Sequence, residues 1–167
     1  MSAPVPVAAR LKAAGLVLPS PMAAAANYVP HVATRVANGW LVHTAGQGPY
    51  RDGKLHHLGC IGSDIGLEQA CDSAHMVALN VLTQAQAAGQ AVIGDNPLDR
   101  ARCLRLGIFL YCVDGFDGIG AVADAASNTV LAVLGDAGRH ARSVAGMNAL
   151  PMHTSVEIDG IFFFGEK

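Results

Sequence analysis

The chain has 167 residues and a formal net charge of −2; 51% of its residues are hydrophobic and only 14% are charged. That length and composition can bury a core without disulfide staples, so one domain is expected over 27–167, preceded by an arm with a short helix over 1–26. The eleven Lys and Arg are scattered, which argues against a nucleic-acid partner, and no apolar run reaches the length that predicts a membrane span.

The cysteines Cys60, Cys71, Cys103 and Cys112 form no CxxC pair and fit free thiols in a reducing cytoplasm. So little charge leaves a monomer short of polar surface, which favours an oligomer. From the N-terminus, Leu11 to Ala26 is apolar but broken by Gly15, Pro19 and Pro21; without a charged region before a continuous apolar one, it reads as a short helix and arm, not a cleavable leader.

Residues 32–45, VATRVANGWLVHTA, alternate on both sides of Asn38-Gly39 and predict a β-hairpin with a type I′ turn. Asp52-Gly53 predicts a second turn and a further short strand before the Gly-rich connection from Gly59 to Gly66. From Leu67 to Ala88 apolar residues recur every three or four positions, predicting an amphipathic helix that Gly89 ends. Ala101 to Val113 predicts a strand crossing the core. Asp117 is expected to cap a second helix, whose stripe includes Ile119, Val122, Ala126 and Val130, with Gly135 and Gly138 at its end. Strands Arg142–Met147 and Ser155–Phe164 follow, joined by a turn at Pro151. This order predicts an α+β fold with two helices on one face of a mixed sheet.

Side chains two apart on a strand share a face. Arg142, Val144 and Gly146 should therefore point one way, and Glu157 and Asp159 should share a face on what is expected to be the neighbouring strand. A guanidinium fork near a carboxylate is either a clamp for a small carboxylate ligand, with Glu157 orienting a water, or a structural ion pair. Spacing leaves both readings open. Cys71 and His75, four apart on a helix, are too few ligands for a metal, and none is expected. His56-His57 reads as a loop pair, and Gly115 to Gly120 has its glycines in the wrong order for a nucleotide loop. Ser73, Ser127 and Ser143 show no nucleophile motif and no convincing local base.

Four stretches carry a family resemblance: Asn27-Tyr28-Val29-Pro30, Thr44 to Pro49 (TAGQGP), Leu67 to Ala70 (LEQA), and the block from Gly138 to Ile161, with Arg142-Ser143, Leu150-Pro151 and Val156-Glu157-Ile158. With them the chain, from about Asn27 onward, resembles the Rid family, also called YjgF-like or endoribonuclease L-PSP proteins. The resemblance implies a chorismate-mutase-like fold with a six-stranded mixed sheet and two main helices on one face, assembled as a trimeric barrel with clefts between subunits.

The implied activity is hydrolysis of 2-imino acids to 2-keto acids and ammonia, with no metal or organic cofactor. By the same resemblance Arg142 binds the substrate carboxylate, Glu157 holds or activates the water, and Tyr28 closes the pocket. Gly46, Gln47 and Asp124 line it. Val144 stands where the archetype carries Cys, Asp124 near its pocket Asn, and the arm is longer, which marks a divergent subgroup. The alternative readings are a non-catalytic module that binds or senses a small carboxylate such as a keto acid and, less favoured, an endoribonuclease.

Overall fold

The computed structural model describes residues 5–166. A short helix, α1 (Val7–Ala14), ends at Gly15, whose φ of 65° terminates it in the left-handed region. An arm without regular structure then leads to the hairpin of β1 (His31–Val36) and β2 (Gly39–Gln47). The hairpin stands where expected, but its turn is different. Val36 pairs with Gly39, leaving Ala37 and Asn38 at the centre, and of these only Asn38 has a positive φ, 64°. A type I′ turn needs positive φ at both central positions. Gly39 instead serves packing, because a Cβ there would collide with the Phe164 carbonyl and the Phe163 ring.

Asp52 and Gly53, with φ of 52° and 74°, do make a tight turn, between β3 (Tyr50–Arg51) and β4 (Lys54–Leu55). This ribbon is a separate two-stranded sheet, so the main sheet has five strands, not the six expected. The carbonyls of Gly48 and Tyr50 accept hydrogen bonds from Asn80 Nδ2, at 2.9 and 3.0 Å, tying the ribbon to a helix instead of to a strand edge.

That helix, α2 (Leu67–Ile93), runs past its expected end. Gly89 lies inside it because a Cβ would meet Pro97 and the Phe164 ring, and this close approach outweighs the ~1 kcal/mol cost of an internal glycine. Gly94, with φ 79°, follows the last turn. The chain continues through β5 (Ala101–Tyr111), α3 (Ile119–Leu134), β6 (Ala141–Met147) and β7 (Val156–Gly165). Gly118, not Asp117, occupies the N-cap of α3, and no side chain caps it.

The sheet order is β1-β2-β7-β5-β6. Strands β5 and β6 are parallel and joined through α3, while the other pairs are antiparallel. Both long helices lie on one face, the arrangement expected for this α+β fold. There Val156, Ile158, Phe162 and Phe164 of β7 and Leu106, Ile108 and Leu110 of β5 are buried, with Val77 and Val81 of α2 and Val122 and Val130 of α3 in the same core. Truncating a buried Phe of this kind costs about 3–5 kcal/mol. The intervening residues Glu157, Asp159, Ile161 and Phe163 fall on the opposite, helix-free face and are only half-buried. Among the described residues no helix is long and apolar enough to cross a membrane.

Candidate functional site

Arg142 stands near the start of β6, at the edge of the sheet, paired with Leu106 in β5. Leu106 is buried beneath the helices, so Arg142 also points to the helix side. Its Nη1 donates to Ser127 Oγ at 2.9 Å and its Nη2 lies 2.7 Å from Asp124 Oδ1, both partners belonging to α3. Asp124 and Ser127 are three residues apart and share a helix face. The Arg142 side chain is 28% exposed and that of Asp124 is 64% exposed. These two contacts engage one donor on each Nη and leave further N–H donors of the fork for a second carboxylate.

Behind Arg142, His140 Nδ1 lies 2.6 Å from the Gly138 carbonyl and His140 Nε2 lies 3.1 Å from Ser127 Oγ. A carbonyl can only accept, so the neutral ring carries its proton on Nδ1. Nε2 then accepts from the Ser127 hydroxyl, whose oxygen accepts from Arg142. Ser127 therefore has the histidine partner that no local motif revealed, because thirteen residues separate the two and helix-to-strand packing joins them.

Glu157 occupies different ground. Strand β5 is inserted between β6 and β7, so Arg142 and Glu157 are not on neighbouring strands, and they point to opposite faces of the sheet. The expected pair does not form within one chain. The reason is topological: the crossover through α3 lays β6 beside β5, and β7 returns antiparallel on the other side of β5. Parity within each strand holds as predicted; only the adjacency fails.

Glu157 lies in a cleft of about 500 Å³ that Tyr28, Gly46 and Gln47 also line. The pairing of β2 with β7 shifts register between Thr44 and Gln47, and such a bulge re-aims the backbone beside it. Gly46 sits in the bulge, and the Glu157 carboxyl fills the space a Cβ would take there. Gln47 Nε2 donates back to the carbonyls of Ala45 and Gly46, at 3.0 and 3.2 Å, stiffening the bulge. Burial, and then the negative charge of Asp159, push the Glu157 carboxyl above its ordinary value. A carboxyl shifted this way is suited to passing a proton nearer neutral pH. Tyr28 is exposed at the cleft mouth.

Thus Tyr28, Gly46, Gln47 and Glu157 come together, and Arg142 and Asp124 form a second group elsewhere. Among the described residues no group of three His, Cys, Asp or Glu could hold a metal. His75 bonds Thr129 Oγ1 at 2.7 Å, and His57 pairs with Asp72 at 2.8 Å. Sequence reasoning missed Asn80 and Gln84, two buried amides one turn apart on α2. Their signal was polar residues on an apolar helix face. Gln84 Nε2 donates to the Met22 carbonyl at 2.7 Å, and Gln84 Oε1 faces His31 Nδ1 at 3.3 Å.

Fold and site together define a small α+β protein with an open cleft around a half-buried carboxyl and an arginine presented at a sheet edge. The chain belongs to the family described as "YjgF/chorismate_mutase-like, putative endoribonuclease", whose model matches residues 8–166. It is 36% identical over 157 residues to Protein TCP17 of Trypanosoma cruzi, covering 93% of this chain and 92% of that one. The crystal structure of Atu1372 from Agrobacterium tumefaciens, a protein of unknown function, matches with TM-score 0.79 and 35% identity over 96% of this chain and 92% of that one. A "putative endoribonuclease" from Shewanella oneidensis matches with TM-score 0.83 and 28% identity, over 96% and 99%. Escherichia coli TdcF, crystallised with bound serine, shares the fold at TM-score 0.57 and 20% identity, over 89% and 94%.

Proposed function

We propose that this chain is a Rid-like hydrolase that converts 2-imino acids to 2-keto acids and ammonia, without metal or organic cofactor, in clefts between subunits of a homotrimer. The observation that carries the reading is the division of complementary groups: a half-buried carboxyl with a raised pKa in an open cleft, and a partly exposed arginine on the other face at the sheet edge. One copy's Glu157 and the next copy's Arg142 complete a site that neither copy holds alone. The helix-free face, with half-buried Ile161 and Phe163, supplies the surface that such an assembly covers. A ligand of amino-acid size suits a fold that holds serine in E. coli TdcF. Four free thiols suit a reducing compartment such as the cytoplasm.

In this reading Arg142 holds the substrate carboxylate and orients the imine carbon, the entropic part of the catalysis. Tyr28 covers the cleft, and Gly46 and Gln47 form its wall. Water attacks the iminium carbon, its proton passes to Glu157, and the C=N electron pair moves onto nitrogen. Glu157 returns the proton to the amine, the C–N bond breaks as the C=O bond forms, and the hydroxyl proton leaves with ammonia as ammonium. The test couples an amino-acid oxidase to the purified protein and follows imine loss. Faster loss with protein, abolished in Arg142→Ala, is expected; equal rates with and without protein across several amino acids would sink the proposal.

A non-catalytic keto-acid-binding module is the second reading, favoured by Asp124, which already satisfies part of the Arg142 fork. Saturable keto-acid binding in calorimetry without imine hydrolysis is its signature. Endoribonuclease activity is less favoured. It needs clustered cations for phosphates, and the eleven Lys and Arg are scattered along a chain of net charge −2.

A further inference from the structure

The cleft has lining residues that the reaction does not use. Besides the bulge and Glu157, it is lined by Met22 to Ala25 of the N-terminal arm and by Met152. Neither wall is a loose segment. Gln84, 1% exposed, spends its amide on the arm by donating to the Met22 carbonyl, while its oxygen meets His31 of β1. A buried side-chain amide left unpaired costs about 1–3 kcal/mol, so the arm is held wherever Gln84 is folded into the core. Leu16 and Leu18 pack the arm's approach against the same core. One turn earlier on α2, Asn80 fixes Gly48 and Tyr50, which also line the cleft.

Met152, which lines the cleft, has φ 54°, and His153 follows at 57°. Two successive non-glycine residues in the left-handed region are strained, and strain of this kind persists where the surroundings impose it, typically at binding sites. The Tyr50 hydroxyl lies 3.7 Å from the Met152 sulfur. Methionine is unbranched and polarizable, and adapts to apolar partners of different shape. The volume, about 500 Å³, falls within the roughly 300–1,000 Å³ typical of small-molecule sites.

We propose that the arm segment Met22–Ala25, pinned by Gln84 and faced by Met152, is the specificity wall of the cleft, and that it selects 2-imino and 2-keto acids with a medium or large apolar side chain, branched or aromatic. The inference rests on the proposed function, since Glu157 and Arg142 fix the acid end of the ligand and thereby aim its side chain along the arm. Three-carbon acids reach Glu157 but leave the apolar end empty.

The experiment measures binding of pyruvate, 2-oxobutanoate, 4-methyl-2-oxopentanoate and phenylpyruvate to the full chain by calorimetry, with imine loss for the corresponding amino acids in parallel. Each methylene covered by the wall should tighten binding about fourfold, so the two larger acids should bind at least about tenfold tighter than pyruvate. Met22→Ala should narrow that ratio. Ala24→Trp, which fills the apolar end and leaves Gln84 in place, should exclude phenylpyruvate more than pyruvate. A flat or inverted ranking, or variants that change all four acids equally, would overturn the inference. If that happens while Arg142→Ala still abolishes binding and turnover, the specificity wall falls and the proposed function stands. If no acid binds and no imine is hydrolysed, both fall.

Discussion

Asp124 sits where it competes with a ligand for Arg142. Its Oδ1 is 2.7 Å from Nη2, so an incoming carboxylate must share the guanidinium with a negative charge already on it. Asp124→Asn keeps the shape and removes the charge. Two unit charges 4 Å apart interact by about 1 kcal/mol in water and about 4 kcal/mol at the effective dielectric of a protein surface. With Asp124 64% exposed, the pair belongs near the wet limit, so relief of repulsion is worth roughly 0.5–1 kcal/mol. Keto-acid binding should therefore tighten roughly two- to fivefold, and less as salt is raised, because exposed charges are screened. Calorimetric titration of the variant and the unaltered chain at two ionic strengths measures this. Weaker binding in Asp124→Asn would refute the reasoning and make Asp124 a ligand contact in its own right.

If each site joins Arg142 of one copy to Glu157 of the next, Arg142→Ala and Glu157→Gln proteins are each inactive alone, and subunit exchange between them should restore about a quarter of the sites in a random equimolar mixture. Mixtures that remain inactive after demonstrated exchange would put both residues in one chain's site or remove one from the mechanism. Ser127→Ala deprives Arg142 of one anchor, and KM should rise by roughly three- to tenfold, as for a partly exposed hydrogen bond to a charged group, with kcat changing less; Ser127→Thr should rescue it. Unchanged KM in Ser127→Ala would show that the His140–Ser127 chain does not position the arginine. Glu157 has a raised pKa, burial being its first cause, so its contribution to stability is full below the ordinary carboxylate value and is lost as pH rises through the raised one. Glu157→Gln should therefore gain thermal stability relative to the unaltered chain across that window and lose activity at every pH. A stability difference independent of pH would contradict the assignment.

Much of the fold was legible along the chain. Alternation, three-to-four spacing and glycine punctuation located both long helices and the main strands, because burial of one face imposes a period on local sequence. The misreadings share a cause. Gly39 and Gly89 look like turn and stop signals, yet each is glycine because a distant aromatic of β7 needs the space. The Asp52-Gly53 strands look like part of the main sheet until Asn80 draws them to α2.

The residues of the candidate site were legible one by one, as a guanidinium and a carboxylate in a terminal block of recognisable pattern, and their alternation within each strand was correct. By itself the sequence determined which residue types were available and which face of its own strand each would take, since both depend on neighbours one to four positions away. Strand order depends on crossover geometry and non-local pairing. Only the tertiary structure therefore decided that β5 separates β6 from β7, that Arg142 meets Asp124 and Ser127 instead of Glu157, and that a buried glutamine holds the arm that lines the cleft.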